Sequence, residues 1–146
     1  MDQKKVVIVT GGSMGIGRAI ADRFANDGAD VVIADIAGAA EAANEMVAAG
    51  ASAIGVTCDI SDPVSCDAMV LAAVNAFGRI DTLVNNAGLY STLKLTDFSK
   101  IKPEDWQRVL NVNVMGQAFV TAAVLPTMQT QSKGEIVNMS SGTPFK

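Results

Sequence analysis

Short unbroken apolar runs alternate along this chain with longer stretches whose apolar residues recur every three or four positions, a rhythm of strands and helices. Val6-Val7-Ile8-Val9 opens the series as a strand that runs to Thr10. Residues 15–27 follow as a helix, with Ile16, Ala19, Ile20, Arg23 and Phe24 forming one buried stripe and Gly28 at the C′ position. Val31-Val32-Ile33-Ala34 has the continuous apolar character of a strand buried on both faces of a parallel sheet, and it ends on Asp35. An alanine-rich helix at 39–49 is closed by Gly50, and Ala53-Ile54-Gly55-Val56-Thr57 is a third strand ending at Cys58-Asp59. Ser61 is the expected N-cap of a third helix with Pro63 in its first turn; Val64, Met69, Val70, Ala73, Val74 and Phe77 make its apolar stripe. Thr82-Leu83-Val84 is a fourth strand.

Residues 89–102 show no period and read as a loop. A long helix is predicted over 103–129, with apolar positions at Trp106, Val109, Leu110, Val114 and Phe119, and Pro126 either kinks or ends it. Glu135-Ile136-Val137-Asn138-Met139 is a fifth strand, and Ser140-Ser141-Gly142 lies at its carboxyl end. Strands and helices in strict alternation specify an α/β architecture, an open parallel sheet wound on both faces by helices, with ligands at the carboxyl ends of the strands. No repeat, charge block or linker divides the series, so residues 1–146 read as one domain.

Composition narrows the function classes. The chain is 49% hydrophobic over 146 residues, enough for a core, and its net charge of −4 with no basic cluster beyond Lys4-Lys5 argues against a nucleic-acid surface. Small molecules are the expected partners. Two cysteines, Cys58 and Cys66, are too few for a disulfide framework and read as reduced thiols of a cytoplasmic protein. The apolar run after Lys5 is too short for a signal sequence or a membrane span, so no membrane is expected. There is no histidine, which removes a Ser-His-Asp triad, a histidine zinc site and an imidazole base; no metal is expected.

The chemistry concentrates in Thr10-Gly11-Gly12-Ser13-Met14-Gly15-Ile16-Gly17, between the first strand and the first helix. Glycines there let a pyrophosphate approach the backbone, and the free N–H groups of the helix's first turn point at the anion. Three motifs compete for these residues. The G-x-S-x-G nucleophile elbow of Gly11 to Gly15 needs a histidine, and the P-loop spacing of Gly12 to Gly17 is followed by Arg18-Ala19 in place of Lys-Ser/Thr. The dinucleotide spacing G-x-G-x-x-G is also absent, and a purely structural turn is the plain alternative. Asp35 tips the balance, because it ends the second strand where a dinucleotide-binding unit places an acid against the adenosine ribose. Its carboxylate would repel a 2′-phosphate, and Met14 and Ile36 offer no cation to hold one, which favours NAD over NADP. The plain alternative for Asp35 is a solvated charge or a helix cap.

Thr10-Gly11-x-x-x-Gly15-Ile16-Gly17, Asp59 after the third strand and Asn85-Asn86-Ala87-Gly88 after the fourth resemble the short-chain dehydrogenase/reductase family. The resemblance extends to Val112-Asn113-Val114-x-Gly116 and to Ile136-Val137-Asn138-Met139-Ser140-Ser141. It implies a Rossmann-like fold, incomplete at the carboxyl end, with Gly11, Ser13, Met14, Gly15, Ile16 and Gly17 around the pyrophosphate. Asp35 and Ile36 would meet the adenosine ribose, Asp59 and Ile60 the adenine, and Asn86, Ala87 and Gly88 the cofactor groove. Asn86 taken alone is a polar tie between strands, and in the family it serves both purposes.

The same resemblance makes Asn113 the asparagine that interrupts the long helix and helps to hold a proton-relay water. Asn111, two residues away, faces another side of the helix. Ser141 matches the serine that hydrogen-bonds the substrate oxygen, with Ser140 its neighbouring alternative. The family's Tyr-x-x-x-Lys would follow Ser141 after a short loop and does not occur by Lys146. A literal Tyr90-x-x-x-Lys94 precedes the serine and reads as a wall of the substrate cleft. The expectation is therefore the cofactor half of a longer NAD-dependent oxidoreductase of secondary alcohols or ketones. The full protein would be a homodimer or homotetramer, and these residues alone would be inactive. The rival is a non-catalytic NAD-binding or regulatory module.

Overall fold

A computed structural model describes residues 4–90 and 96–141. Five strands form one parallel sheet in the order β3-β2-β1-β4-β5, made of β1 (Val6–Thr10), β2 (Asp30–Asp35), β3 (Ser52–Thr57), β4 (Thr82–Asn85) and β5 (Glu135–Asn138). The helices are α1 (Gly15–Asn26), α2 (Ala39–Ala48), α3 (Pro63–Phe77), α4 (Pro103–Leu110) and α5 (Gln117–Thr130). The order reverses between β1 and β4, which opens a crevice at the carboxyl ends of those strands.

The apolar runs are strands because both faces of the sheet are covered. Val6, Ile8, Val32 and Leu83 pack with α3 and α5 residues such as Met69, Val120 and Val124, whereas Val7, Val9, Val31 and Ile33 pack with Ala21, Ala42 and Met46 of α1 and α2. Alternate residues of β1 thus fill opposite cores. Gly55 makes the α2 contact possible, since a Cβ there would strike the Ala39 carbonyl.

Several local expectations are corrected. In α1 the buried residues are Gly17 and Ala21, with Ile20 and Phe24 half-buried, while Ile16, in the first turn, is 68% exposed. Asp62, not Ser61, caps α3: its carboxylate accepts the Val64 N–H at 3.0 Å, and Ser61 turns to Asp59. Pro63 at N1 explains the choice, because the residue before that proline must be extended. Val64, at N2, is exposed, and the buried stripe of α3 is Cys66, Met69 and Ala73. The 89–102 loop contains a 3-10 turn at Phe98–Lys100, where Phe98 meets Trp106 edge to face at 6.0 Å.

Pro103–Thr130 is helical throughout, but residues Asn111–Gly116 between α4 and α5 form a π-helix. Pro126 sits inside α5 without ending it. By length and composition this stretch is apolar enough to cross a bilayer; in the fold Val120, Val124 and Met128 of its α5 part lie in the sheet's core. Trp106, Leu110 and Val114 are exposed, so only the α5 half of the predicted apolar face packs here.

Two pins fasten the opposite end of the sheet. Asp81, just before β4, is buried and accepts the Val6 N–H at 2.9 Å and Arg79 Nε at 2.8 Å on Oδ2, with Arg79 Nη2 at 2.5 Å on Oδ1. Gln131 takes the Ile80 N–H and returns a bond to the Ile80 carbonyl, fixing the end of α5 to the start of β4. Cys58 and Cys66 are free and buried; the hydrogen bond with Cys58, reinforced by burial, pushes the Cys66 thiol up.

Candidate functional site

The crevice is organised by Thr10, the last residue of β1. Its hydroxyl donates to the Val84 carbonyl at 3.3 Å and accepts the N–H groups of Asn86 and Ala87, each at 3.1 Å. Asn86 answers with its side chain, donating through Nδ2 to the carbonyls of Thr10 at 3.0 Å and Gly11 at 3.2 Å. The glycine loop and the Asn86-Ala87-Gly88 segment are therefore one hydrogen-bonded unit.

Glycine is required at three points of this unit for different reasons. Gly11 has φ +64° and would bring a Cβ to 2.9 Å from the Ala87 Cα. Gly17 is in ordinary helix, but a Cβ there would penetrate the Gly11 carbonyl and the Asn86 amide. Gly15 has φ +56° and nothing within 4 Å of its would-be Cβ, so it faces open space.

That open space lies before the amino end of α1, where the first helix-type bond runs from the Arg18 N–H to the Met14 carbonyl. The N–H groups of Gly15, Ile16 and Gly17 have no intrahelical acceptor and carry the positive end of the helix dipole. An open glycine with free N–H groups behind it fits a pyrophosphate.

Asp35 stands beside this loop. Its Oδ2 accepts Ser13 Oγ at 2.6 Å and the Ser13 N–H at 3.1 Å, and its Oδ1 accepts the Ile36 N–H at 2.8 Å. Met14 and Ile36 flank it at 74% and 67% exposure. Across the groove, Asp59 Oδ1 accepts from Ser61 through its N–H at 2.9 Å and its hydroxyl at 2.7 Å. Ile60 is buried with its tip against Gly116, where any Cβ would overlap it, so the π-helical turn can close on the β3 to α3 loop. A cavity of about 280 Å³ runs between these groups, lined by all the expected cofactor residues except Ser13, Gly15, Ile16 and Gly17. Cys58, Leu89 and Val112 also line it.

Asn113 lies in the π-helical turn and grips Leu89 twice, its Oδ1 accepting the Leu89 N–H at 2.6 Å and its Nδ2 donating to the Leu89 carbonyl at 3.2 Å. Asn111 points elsewhere, accepting from Gln107 Nε2 at 2.7 Å on the outer surface of the helix. The two asparagines thus divide as their spacing requires. Ser140 and Ser141 are exposed just beyond β5, which the Met139 N–H prolongs by bonding the Asn85 carbonyl at 3.0 Å. Tyr90 is exposed, and Lys94 and Gly142 lie outside the described residues. Among the described residues no cluster of His, Cys, Asp or Glu could hold a metal ion.

A family model described as short chain dehydrogenase matches residues 5–146. The chain belongs to the short-chain dehydrogenase family. Similar curated proteins include an uncharacterised oxidoreductase of Methylorubrum extorquens, 41% identical over 94% of this chain and 54% of the relative. Another is the (2S)-[(R)-hydroxy(phenyl)methyl]succinyl-CoA dehydrogenase subunit BbsD of Thauera aromatica, 40% identical over 95% of this chain and 56% of the relative. A third is galactitol 2-dehydrogenase of Agrobacterium fabrum, 38% identical over 94% and 52%. The chain spans about half the length of these curated relatives. Membership in the short-chain dehydrogenase family implies a nicotinamide dinucleotide as cofactor.

Sequence reasoning missed two organising residues of this short-chain dehydrogenase. Thr10 belongs to the glycine motif in the sequence, but nothing there announces that its hydroxyl ties down the Asn86-Ala87 turn. Leu89 was read as loop, and its partnership with Asn113 depends on a helix distortion that periodicity does not announce.

Proposed function

We propose that the protein is an NAD-dependent oxidoreductase that interconverts secondary alcohols and ketones. The observation that carries the NAD preference is the Asp35 carboxylate, anchored beside the glycine loop with the apolar Met14 and Ile36 on either side. A 2′-phosphate entering there would meet a negative charge and no flanking cation, whereas ribose hydroxyls would find an acceptor. Gly15, Ile16 and Gly17 bind the pyrophosphate through their backbone N–H groups, and Ala87 and Gly88 wall the groove beyond it.

When bound, the nicotinamide supplies hydride transfer to or from the substrate carbon. Ser141 orients the substrate oxygen by donating a hydrogen bond, and Asn113 keeps the Leu89 backbone and the π-helical turn in place beside a proton-relay water. The working protein is a soluble homo-oligomer of the cytoplasm.

Calorimetric titration of the purified protein with NAD+ and NADP+ tests the cofactor assignment. NAD+ binding at least tenfold tighter, about 1.4 kcal/mol, is expected, and tighter NADP+ binding overturns it.

A further inference from the structure

We propose that Ser13 is a positioning residue that sets the orientation of the Asp35 carboxylate toward the adenosine ribose. The inference rests on the NAD reading above and adds to it a residue that acts through Asp35.

A carboxylate has about four acceptor positions, two on each oxygen. Ser13 supplies two donors to Oδ2, its hydroxyl at 2.6 Å and its N–H at 3.1 Å, and the Ile36 N–H occupies one position on Oδ1 at 2.8 Å. The remaining position is on Oδ1, so this set of donors decides which edge of the carboxylate is offered to a ligand. The hydroxyl contact is the shortest of the three and the one that a side-chain change removes. Without it, only the backbone N–H groups of Ser13 and Ile36 restrain the broad χ2 torsion of the Asp35 side chain.

Ser13 is itself held in place. It lies between the left-handed Gly11 and Gly15, and Gly38, left-handed at the start of α2, leaves only 3.5 Å between its would-be Cβ and the Ser13 Cβ. The β2 to α2 turn thus closes over the serine. Ser13 is the link by which the pyrophosphate loop and the ribose acceptor keep a fixed relation to each other.

The test is a double-mutant cycle in the purified protein, reading NAD+ and NADP+ dissociation constants for wild type, Ser13→Ala, Asp35→Ala and the double variant. Ser13→Ala should weaken NAD+ about fivefold to tenfold, the loss of one charge-assisted hydrogen bond. In the Asp35→Ala background the same change should alter NAD+ binding by less than about twofold, because nothing remains to be positioned. NADP+ binding should not weaken in Ser13→Ala, since a freed carboxylate can turn from the 2′-phosphate, so the NAD+ to NADP+ preference narrows. A loosened loop would weaken both cofactors alike. Equal effects of Ser13→Ala in both backgrounds, or none in wild type, overturn the role given to Ser13 while leaving Asp35 as the ribose acceptor. If Asp35→Ala leaves NAD+ binding unchanged, the NAD reading falls and the Ser13 proposal with it.

Discussion

Asn86 and Thr10, 76 positions apart in the chain, are joined in both directions: the Thr10 hydroxyl accepts the Asn86 N–H at 3.1 Å, and Asn86 Nδ2 returns a bond to the Thr10 carbonyl at 3.0 Å. The two segments that most strongly mark the family are thereby a single mechanical unit at the point where the strand order reverses. The asparagine's donors are spent on the backbone of the glycine loop, so its first task is to hold that loop's shape.

Thr10→Val tests this coupling with little change of volume. Thr10 is buried, and valine would leave the Asn86 and Ala87 N–H groups and the Val84 carbonyl without their partner. The expected loss is about 2 kcal/mol in chemical denaturation, together with weaker dinucleotide binding as Gly11 shifts. Unchanged stability would mean that water or a local rearrangement replaces the hydroxyl.

Two glycines of the same loop should fail in opposite ways. At Gly17 an alanine methyl collides with the Gly11 carbonyl and the Asn86 amide, so Gly17→Ala should destabilise the fold by about 1–3 kcal/mol and distort the groove. At Gly15 the methyl meets nothing, and the left-handed backbone costs about 1–2 kcal/mol. Its larger effect is to fill the space before the α1 N–H groups, so Gly15→Ala should weaken NAD+ by more than its stability loss explains. Paired thermal melts and NAD+ titrations separate the two.

The fold was legible because strands buried on both faces leave continuous apolar runs, as at Val7 to Val9 and Val31 to Ile33, where helices cover both faces of the sheet. The glycine loop was legible because its spacing is fixed by backbone needs that few residue types meet. The misreadings share another origin. Ser61 and Asp62 are both good caps, and only the extended backbone demanded by Pro63 selects Asp62. Ile16 fits a three-and-four period, but it lies in the first turn of α1, where its side chain is exposed while the buried face begins at Gly17. The π-helical turn at Asn111–Gly116 leaves no periodic signature, since its six residues pass as an ordinary stretch of a long helix. Trp106 and Leu110 look like core in a pattern, and where α4 buries its apolar face cannot be read from period alone.

The Asn113 clamp on Leu89 should be visible in hydrogen exchange. Asn113→Ala removes the acceptor of the Leu89 N–H and the donor to its carbonyl, and the Leu89 amide should exchange about tenfold faster or more, with a small loss of global stability. Asn113→Asp keeps an acceptor for the N–H but sets a carboxylate against the carbonyl, so it should protect the amide and still loosen the turn. If neither variant alters Leu89 exchange, the π-helical turn is held by its own backbone and Asn113 is free for another purpose.

Asp81 gives the fold a specific acid sensitivity. Burial raises the affinity of its carboxyl for a proton, but the Arg79 hydrogen bond, the Val6 N–H and the charges of Arg79 and Lys133 outweigh burial and hold it below its ordinary value. A group depressed in the folded state contributes stability that is fully present above its unfolded pKa, about 3.9, and is lost as pH falls through the folded value. Wild type should therefore lose stability progressively below about pH 4, as the pin between β1 and β4 becomes protonated. Asp81→Asn cannot titrate there and leaves Arg79 with a neutral partner, so its melting temperature should be lower by several degrees at pH 7, with the difference from wild type shrinking as pH drops below 4. Thermal melts of both proteins between pH 7 and pH 2.5 measure that convergence. Parallel curves across the whole range would assign the acid limb to other carboxylates and leave Asp81 a purely geometric tie.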